Sequence, residues 1–370
     1  MFTVGLRENV FALYAGLISS GYDLFELAAD DPVHIVIEEI RRMQWPEPVT
    51  AYFAKARKEG GGVNPYWPRA AMLLMVSFYA ESSHNQGLPC VSCHTDGTCG
   101  SAAVQVQELT SEKEWKMSVK AQLDRFPVSP EAKSSGVFEW LLGFADIWHQ
   151  MRSLDSFARL WTKYRTVMDS SIDQFYETTR DSIRLFTNVL GVAPQGLPAI
   201  CVIPNPLQAP QVTDFVRKDG VVYVIVAAPR PSAIIHELLH DVFEPGIEAA
   251  KHKIAQFSHL LEPVYGQMVK MQYAWDMSPD SWLRVFEENF MRAASIWVEH
   301  APGMPGADSK EDAPARAHAH ALTHAQEGFV YVPVMVTMFL KEWHGLDGIG
   351  VFMDKVLEVC DSLDSLRHLP

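Results

Sequence analysis

Positive charge is scarce in this chain. Thirty-one Lys and Arg stand against 45 Asp and Glu, a formal net charge of −14. Nucleic acids and anionic membrane surfaces reward clustered Lys and Arg, so neither is expected as a main partner. Long apolar runs are missing as well, and none approaches the roughly 20 residues of a membrane-crossing helix. The opening stretch MFTVGLRENVFALYAGLISSG lacks a basic start and a small-residue cleavage site. It is therefore not read as a signal peptide, and a cytoplasmic location is favoured. Cysteine is sparse and odd in number, five in 370 residues, which excludes the dense, even framework of a small secreted scaffold. Internal repeats are absent, so solenoid and propeller architectures are not expected.

What remains is ordinary globular composition, 48% hydrophobic and 21% charged, with enough length to bury a core. Apolar positions recur at helical spacing over 8–28, 33–43, 47–58, 66–82, 111–124, 135–150 and 154–190. Two β-branched runs follow, Ala199–Ile203 and Val221–Ala228, the second preceded by the turn signal Lys218-Asp219-Gly220. The run from Val221 reads as an edge strand to which an extended peptide could add. Pro231-Ser232 opens an apolar helix, and Pro245-Gly246 is expected to end it. Ser278-Pro279 starts another helix, with Ser as cap and Pro at the first helical position, running to about Glu299. Residues 301–316 read as a flexible loop, followed by an apolar stretch from Phe329 to Trp343 and an amphipathic helix near 349–366. The expected fold class is α+β, mostly helical, with a small sheet next to the histidine-bearing helix. Residues 1–190 form a mainly helical region and 191–370 carry the chemistry, either as two regions or as one integrated domain.

The chemistry centres on His236-Glu237-Leu238-Leu239-His240. Residues i and i+4 share a helix face, so both imidazoles can turn toward one ion. Glu237, beside the first ligand, can reach a water on that ion and take its proton. The rest of the helix is apolar (Ile234, Ile235, Leu238, Leu239, Val242), and burying two histidines and a Glu there without a partner would be costly.

A catalytic zinc needs a third protein ligand and an open position. Glu244 continues the series but sits where Pro245 should stop the helix. The helix over 279–299 is apolar around most of its circumference, with Arg284, Glu288, Arg292, Ser295 and Glu299 on one polar strip. Facing a cleft, that strip makes Glu288 the third ligand, with Arg292 orienting it. Glu287 is the alternative, and a solvated strip of ion pairs is the plain reading. Tyr331 is the candidate for stabilising a developing oxyanion, against a role as a core aromatic. His318, His320 and His324, beside the 301–316 loop, read as solvated.

His236-Glu237-x-x-His240 followed by a Glu on a later helix resembles the gluzincin clan of zinc metallopeptidases. Glu288-Asn289-Phe290-Met291-Arg292-Ala293 is similar to a Glu-x-x-x-Arg-Ala pattern in a bacterial gluzincin-like family classed as a domain of unknown function. The resemblance implies Zn2+ at His236, His240 and Glu288, Glu237 as general base, a zincin-like fold and a peptide or protein substrate. The 47 residues between His240 and Glu288 exceed the spacing of the best-known gluzincins. Rival functions are a zinc protein that binds without cleaving, which would have no need of Glu237, and a hydrolase of non-peptide amides or esters.

Cys90, Cys93 and Cys99 crowd a Gly-rich loop. Cys90-Val91-Ser92-Cys93-His94 fits c-type haem attachment, which requires export. A structural zinc completed by His84 or His94, and a disulfide or free-thiol loop, are the alternatives. A structural role separate from the His236 site is expected. Cys93→Ser should then lower the thermal midpoint and leave metal at His236 and His240 unchanged; a Soret band in the purified protein would overturn that expectation.

Overall fold

A two-residue turn organises the sheet. Asp219 (φ 52°) and Gly220 (φ 75°) both take the left-handed conformation that a tight hairpin requires. They join strands Thr213–Lys218 and Val221–Val226, with Lys218 opposite Val221. The computed structural model describes residues 2–59, 77, 141–193, 196–210, 212–271, 273–301 and 312–367. The helices expected over 66–82 and 111–124, and the Cys90/Cys93/Cys99 loop, lie outside the described residues, Ser77 apart.

In chain order the elements are β1 (Phe2–Val4), α1 (Glu8–Ser19), α2 (Val33–Arg42), α3 (Glu47–Glu59), α4 (Phe144–Arg152), α5 (Asp155–Leu190), β2 (Ala199–Pro204), β3 (Thr213–Lys218) and β4 (Val221–Val226). Then come α6 (Pro231–Gln256), a 3-10 helix (Ser258–Val264), α7 (Tyr265–Lys270), α8 (Pro279–Glu299), α9 (Ala313–Glu327), α10 (Val332–Glu342) and α11 (Ile349–Arg367). Among the described residues the architecture is α+β, mainly helical with a four-stranded mixed sheet. Its strand order is β1-β2-β4-β3, parallel except for the β3–β4 hairpin. β4 is therefore interior, not the edge strand expected from its sequence. Its partner β3 escapes notice because Asp214, Arg217 and Lys218 dilute its apolar character. None of the described helices is long and apolar enough to cross a membrane.

The chain forms two compact units, residues 1–179 with 198–230, and residues 180–197 with 231–370. The first holds the sheet and a core of α1, α2, α3, α4 and the start of α5, where Phe11 stacks on Tyr164 at 4.6 Å. Helix α1 is buried over ten consecutive residues, Asn9–Ile18. In the second unit α8 is the central rod, packed along α6 and α10. Ser278 caps it by accepting from Ser281 N–H, and Pro279 occupies the first turn, as the sequence implied. Trp282, Phe286 and Phe290 are fully buried, each contributing roughly 1.5–3 kcal/mol of apolar burial. The Trp282 indole N–H donates to Ile254 O at 3.0 Å, tying α8 to α6.

Pro245 does not end α6, which continues to Gln256. An interior proline forfeits one backbone bond and ordinarily kinks or breaks a helix, yet here the helix runs on. Gly246 beside it meets Ile349 of α11 so closely that a Cβ would lie 2.6 Å from Ile349 Cδ1. The Pro-Gly pair therefore serves helix packing rather than termination. Glu244, just before it, is exposed.

A similar close approach in the first unit yields a test. A Cβ on Gly16 of α1 would lie 2.1 Å from the Phe53 ring of α3, whose side chain is fully buried. Ala ordinarily favours a helix over Gly by up to ~1 kcal/mol, but displacing a buried ring costs about 1–3 kcal/mol. Gly16→Ala should therefore lower the urea midpoint; a raised midpoint would contradict this packing.

Candidate metal centre

Helix α6 buries Ile234, Ile235, Leu238 and Leu239, which fixes its rotation in the second unit. His236 and His240 then lie one turn apart, ring centroids 4.9 Å apart and planes at 74°. Their Nε2 atoms face each other across 3.2 Å. The opposite edge of each ring is engaged by α8. His240 Nδ1–H donates to Glu287 Oε1 at 3.0 Å, and Ser295 Oγ lies 3.3 Å from His236 Nδ1. A carboxylate only accepts, so Nδ1 carries a proton, and in the neutral ring Nε2 carries the lone pair.

Glu288 brings an oxygen to the same point, with Oε1 3.8 Å from His236 Nε2. Ligating atoms of His236, His240 and Glu288 all lie within 4.8 Å of one another, a group able to hold a metal ion. Tetrahedral zinc with bonds of about 2.0–2.1 Å spaces its ligand atoms by roughly 3.3 Å, which the 3.2 Å between the two Nε2 atoms matches and the 3.8 Å from His236 to Glu288 exceeds by about half an ångström. The donor set, two imidazoles and one carboxylate, also suits such an ion. Side-chain exposure is 5% for Glu288, 7% for His240 and 18% for His236, so all three are largely enclosed and His236 is the most exposed.

Charge is compensated around the cluster. Burial penalises the Glu288 carboxylate, but Arg292, His236 and Arg284 outweigh it and hold the group far below the usual carboxylate range. Arg292 Nη2 contacts Glu288 Oε1 at 2.8 Å. The same guanidinium donates to Tyr273 Oη at 3.3 Å and to His324 Nδ1 at 3.2 Å, and lies 3.9 Å over the Phe329 ring. Enclosure of the His236 ring pulls its pKa down to about 3, keeping it neutral as a ligand must be. Burial, and then the Glu288 charge, push Tyr273 up to about 12, so its hydroxyl stays protonated.

The structure thus brings together His236, His240 and Glu288. Glu287 is a partner of His240 rather than a member of the cluster, and Arg292 is the partner of Glu288 that the polar strip suggested. Glu237 is 5% exposed, and its charge helps keep Arg284 protonated. Tyr331 is not brought to the cluster by any contact described. Its hydroxyl donates to Leu260 O at 2.7 Å and its ring meets Trp282 edge-on at 5.8 Å. Tyr273, which no sequence signal singles out, and His324, expected to be solvated, both contact Arg292. His318, His320 and His324 lie on α9, half-buried rather than solvated, because Ala313, Ala317 and Ala321 give that helix a buried face of small side chains. That i, i+4, i+8 alanine spacing is a signal that could have found the helix. No family model, curated protein or solved structure matches the chain.

Removing Arg292 would leave the Glu288 charge enclosed without its nearest cation. Arg292→Ala should destabilise the metal-free protein by on the order of 3 kcal/mol in urea unfolding. Arg292→Lys should lose less, since it keeps the charge but not the planar fork. Equal, small effects from both would contradict a buried pair.

Proposed function

We propose that this chain is a zinc-dependent hydrolase, a metallopeptidase of gluzincin type with a zincin-like catalytic region, cleaving peptide bonds in a peptide or protein. The observation that carries the reading is the paired anchoring of the imidazoles. Each ring has its Nδ1 edge held from α8 while its Nε2 edge converges with Glu288. Histidines with a structural role alone have no need of both features, whereas metal-ligating histidines characteristically combine them. When bound, zinc would supply a Lewis acid and lower the pKa of a coordinated water toward neutrality.

The chain's own groups account for the rest. His236, His240 and Glu288 hold the ion, and Arg292 keeps Glu288 ionised and oriented. Glu237, next to the first ligand, takes the proton from the attacking water on its carboxylate and returns it to the leaving amine nitrogen. Tyr273 Oη accepts from Arg292 and keeps its own O–H to donate. We assign it the stabilisation of the developing oxyanion in place of Tyr331.

Glu237→Gln is the sharpest test, because it preserves shape and removes the base. On a mixed fluorogenic peptide library it should retain zinc and lower turnover by a factor of about one hundred or more. Turnover unchanged from the parent would remove Glu237 from the mechanism. Absence of any zinc-dependent cleavage in the parent, across peptide, amide and ester substrates, would remove the hydrolase reading.

A further inference from the structure

The polar strip of α8 does not end at Ser295. About 16 Å beyond Glu288, at 1.5 Å per residue, it reaches Glu299. There a second group of ligating atoms lies within 4.8 Å of one another: Glu299, His300 and His320. His300 Nε2 is 3.4 Å from His320 Nδ1, which is 3.9 Å from Glu299 Oε2. Consecutive residues inside a helix point about 100° apart and do not share a ligand. Glu299 and His300 escape that rule because His300 is the C-cap of α8, where the backbone has left helical geometry (φ −98°, ψ 10°). The third donor comes from α9, whose alanine face positions His320.

We propose that Glu299, His300 and His320 form a second binding site, separate from the His236 cluster, for a divalent transition-metal ion. The spacings approach the roughly 3.3 Å of tetrahedral ligand atoms, and the donor set again joins two imidazoles to one carboxylate.

This site binds more weakly than the first. His320 is 36% exposed, against 7% for His240. Arg316, close enough to His300 to help hold it neutral, also opposes an incoming cation. An ion here joins α9 to the end of α8. His320 packs against His324 at 5.2 Å, and His324 contacts Arg292, so the two groups of side chains adjoin through α9.

Cobalt(II) titration of the full, untagged chain tests the proposal. Visible bands report tetrahedral cobalt whatever its donors, and a thiolate-to-cobalt band in the near ultraviolet marks any equivalent held by the cysteine loop, which is then subtracted. The parent should take up a tight and a weaker visible-absorbing equivalent. His320→Ala and His300→Gln should each lose the weaker equivalent, or weaken it tenfold or more, and keep the tight one. His236→Ala/His240→Ala should lose the tight equivalent and keep the weaker. Unchanged stoichiometry and affinity in both His320→Ala and His300→Gln, with native circular dichroism, would overturn the second site. That result would leave the catalytic reading standing, since the latter fails instead if His236→Ala/His240→Ala keeps the tight equivalent.

Discussion

Two imidazole nitrogens held 3.2 Å apart set the terms for the second unit. His240 commits its Nδ1–H to Glu287, which turns its Nε2 edge toward His236. His236 is half-enclosed and resists protonation. Nitrogens facing each other at that distance are joined either by the Nε2–H of one neutral ring donating to the other or by a cation bound between them. Glu288 adds an anionic oxygen to the same space. The three side chains form a group able to hold a metal ion.

Holding such a cluster requires a rigid frame, and α8 provides it. Its apolar residues bury almost all round, so its rotation is fixed and its polar strip must point at α6. Glu287, Glu288, Arg292 and Ser295 then serve the two histidines from one element. Enclosing an ionised Glu288 would be costly by itself. Arg292 offsets that cost and is in turn held by Tyr273, His324 and the Phe329 face. The chain of support thus runs from α6 through α8 to α9, and the same strip of α8 ends in the Glu299 group.

Much of this was legible in the amino-acid pattern. The i, i+4 histidines on an apolar helix predict a shared face, and a mostly apolar helix with one polar strip predicts Glu288 and Arg292 in each other's company. Both depend on local periodicity, which a sequence displays. What could not be read depends on packing between distant segments. Pro245 looks like a stop signal because the compensating contact, Ile349 against Gly246, is a hundred residues away. Val221–Val226 looks like an edge because its neighbour β3 has too few apolar residues to advertise itself. His320 and His324 look solvated because the alanines that bury their helix carry little hydrophobic signal. Tyr273 precedes α8 in an irregular segment with no period, so nothing local distinguishes it from Tyr331.

Zinc K-edge X-ray absorption of the protein loaded with one equivalent tests directly whether His236, His240 and Glu288 together hold a zinc ion. The account predicts nitrogen and oxygen scatterers at about 2.0–2.1 Å, with the outer-shell pattern of two imidazoles. In His236→Ala that two-imidazole pattern should be lost. A first shell of sulfur at about 2.3 Å in the parent, unchanged by His236→Ala, would contradict the account and place the tightest zinc on the cysteines instead.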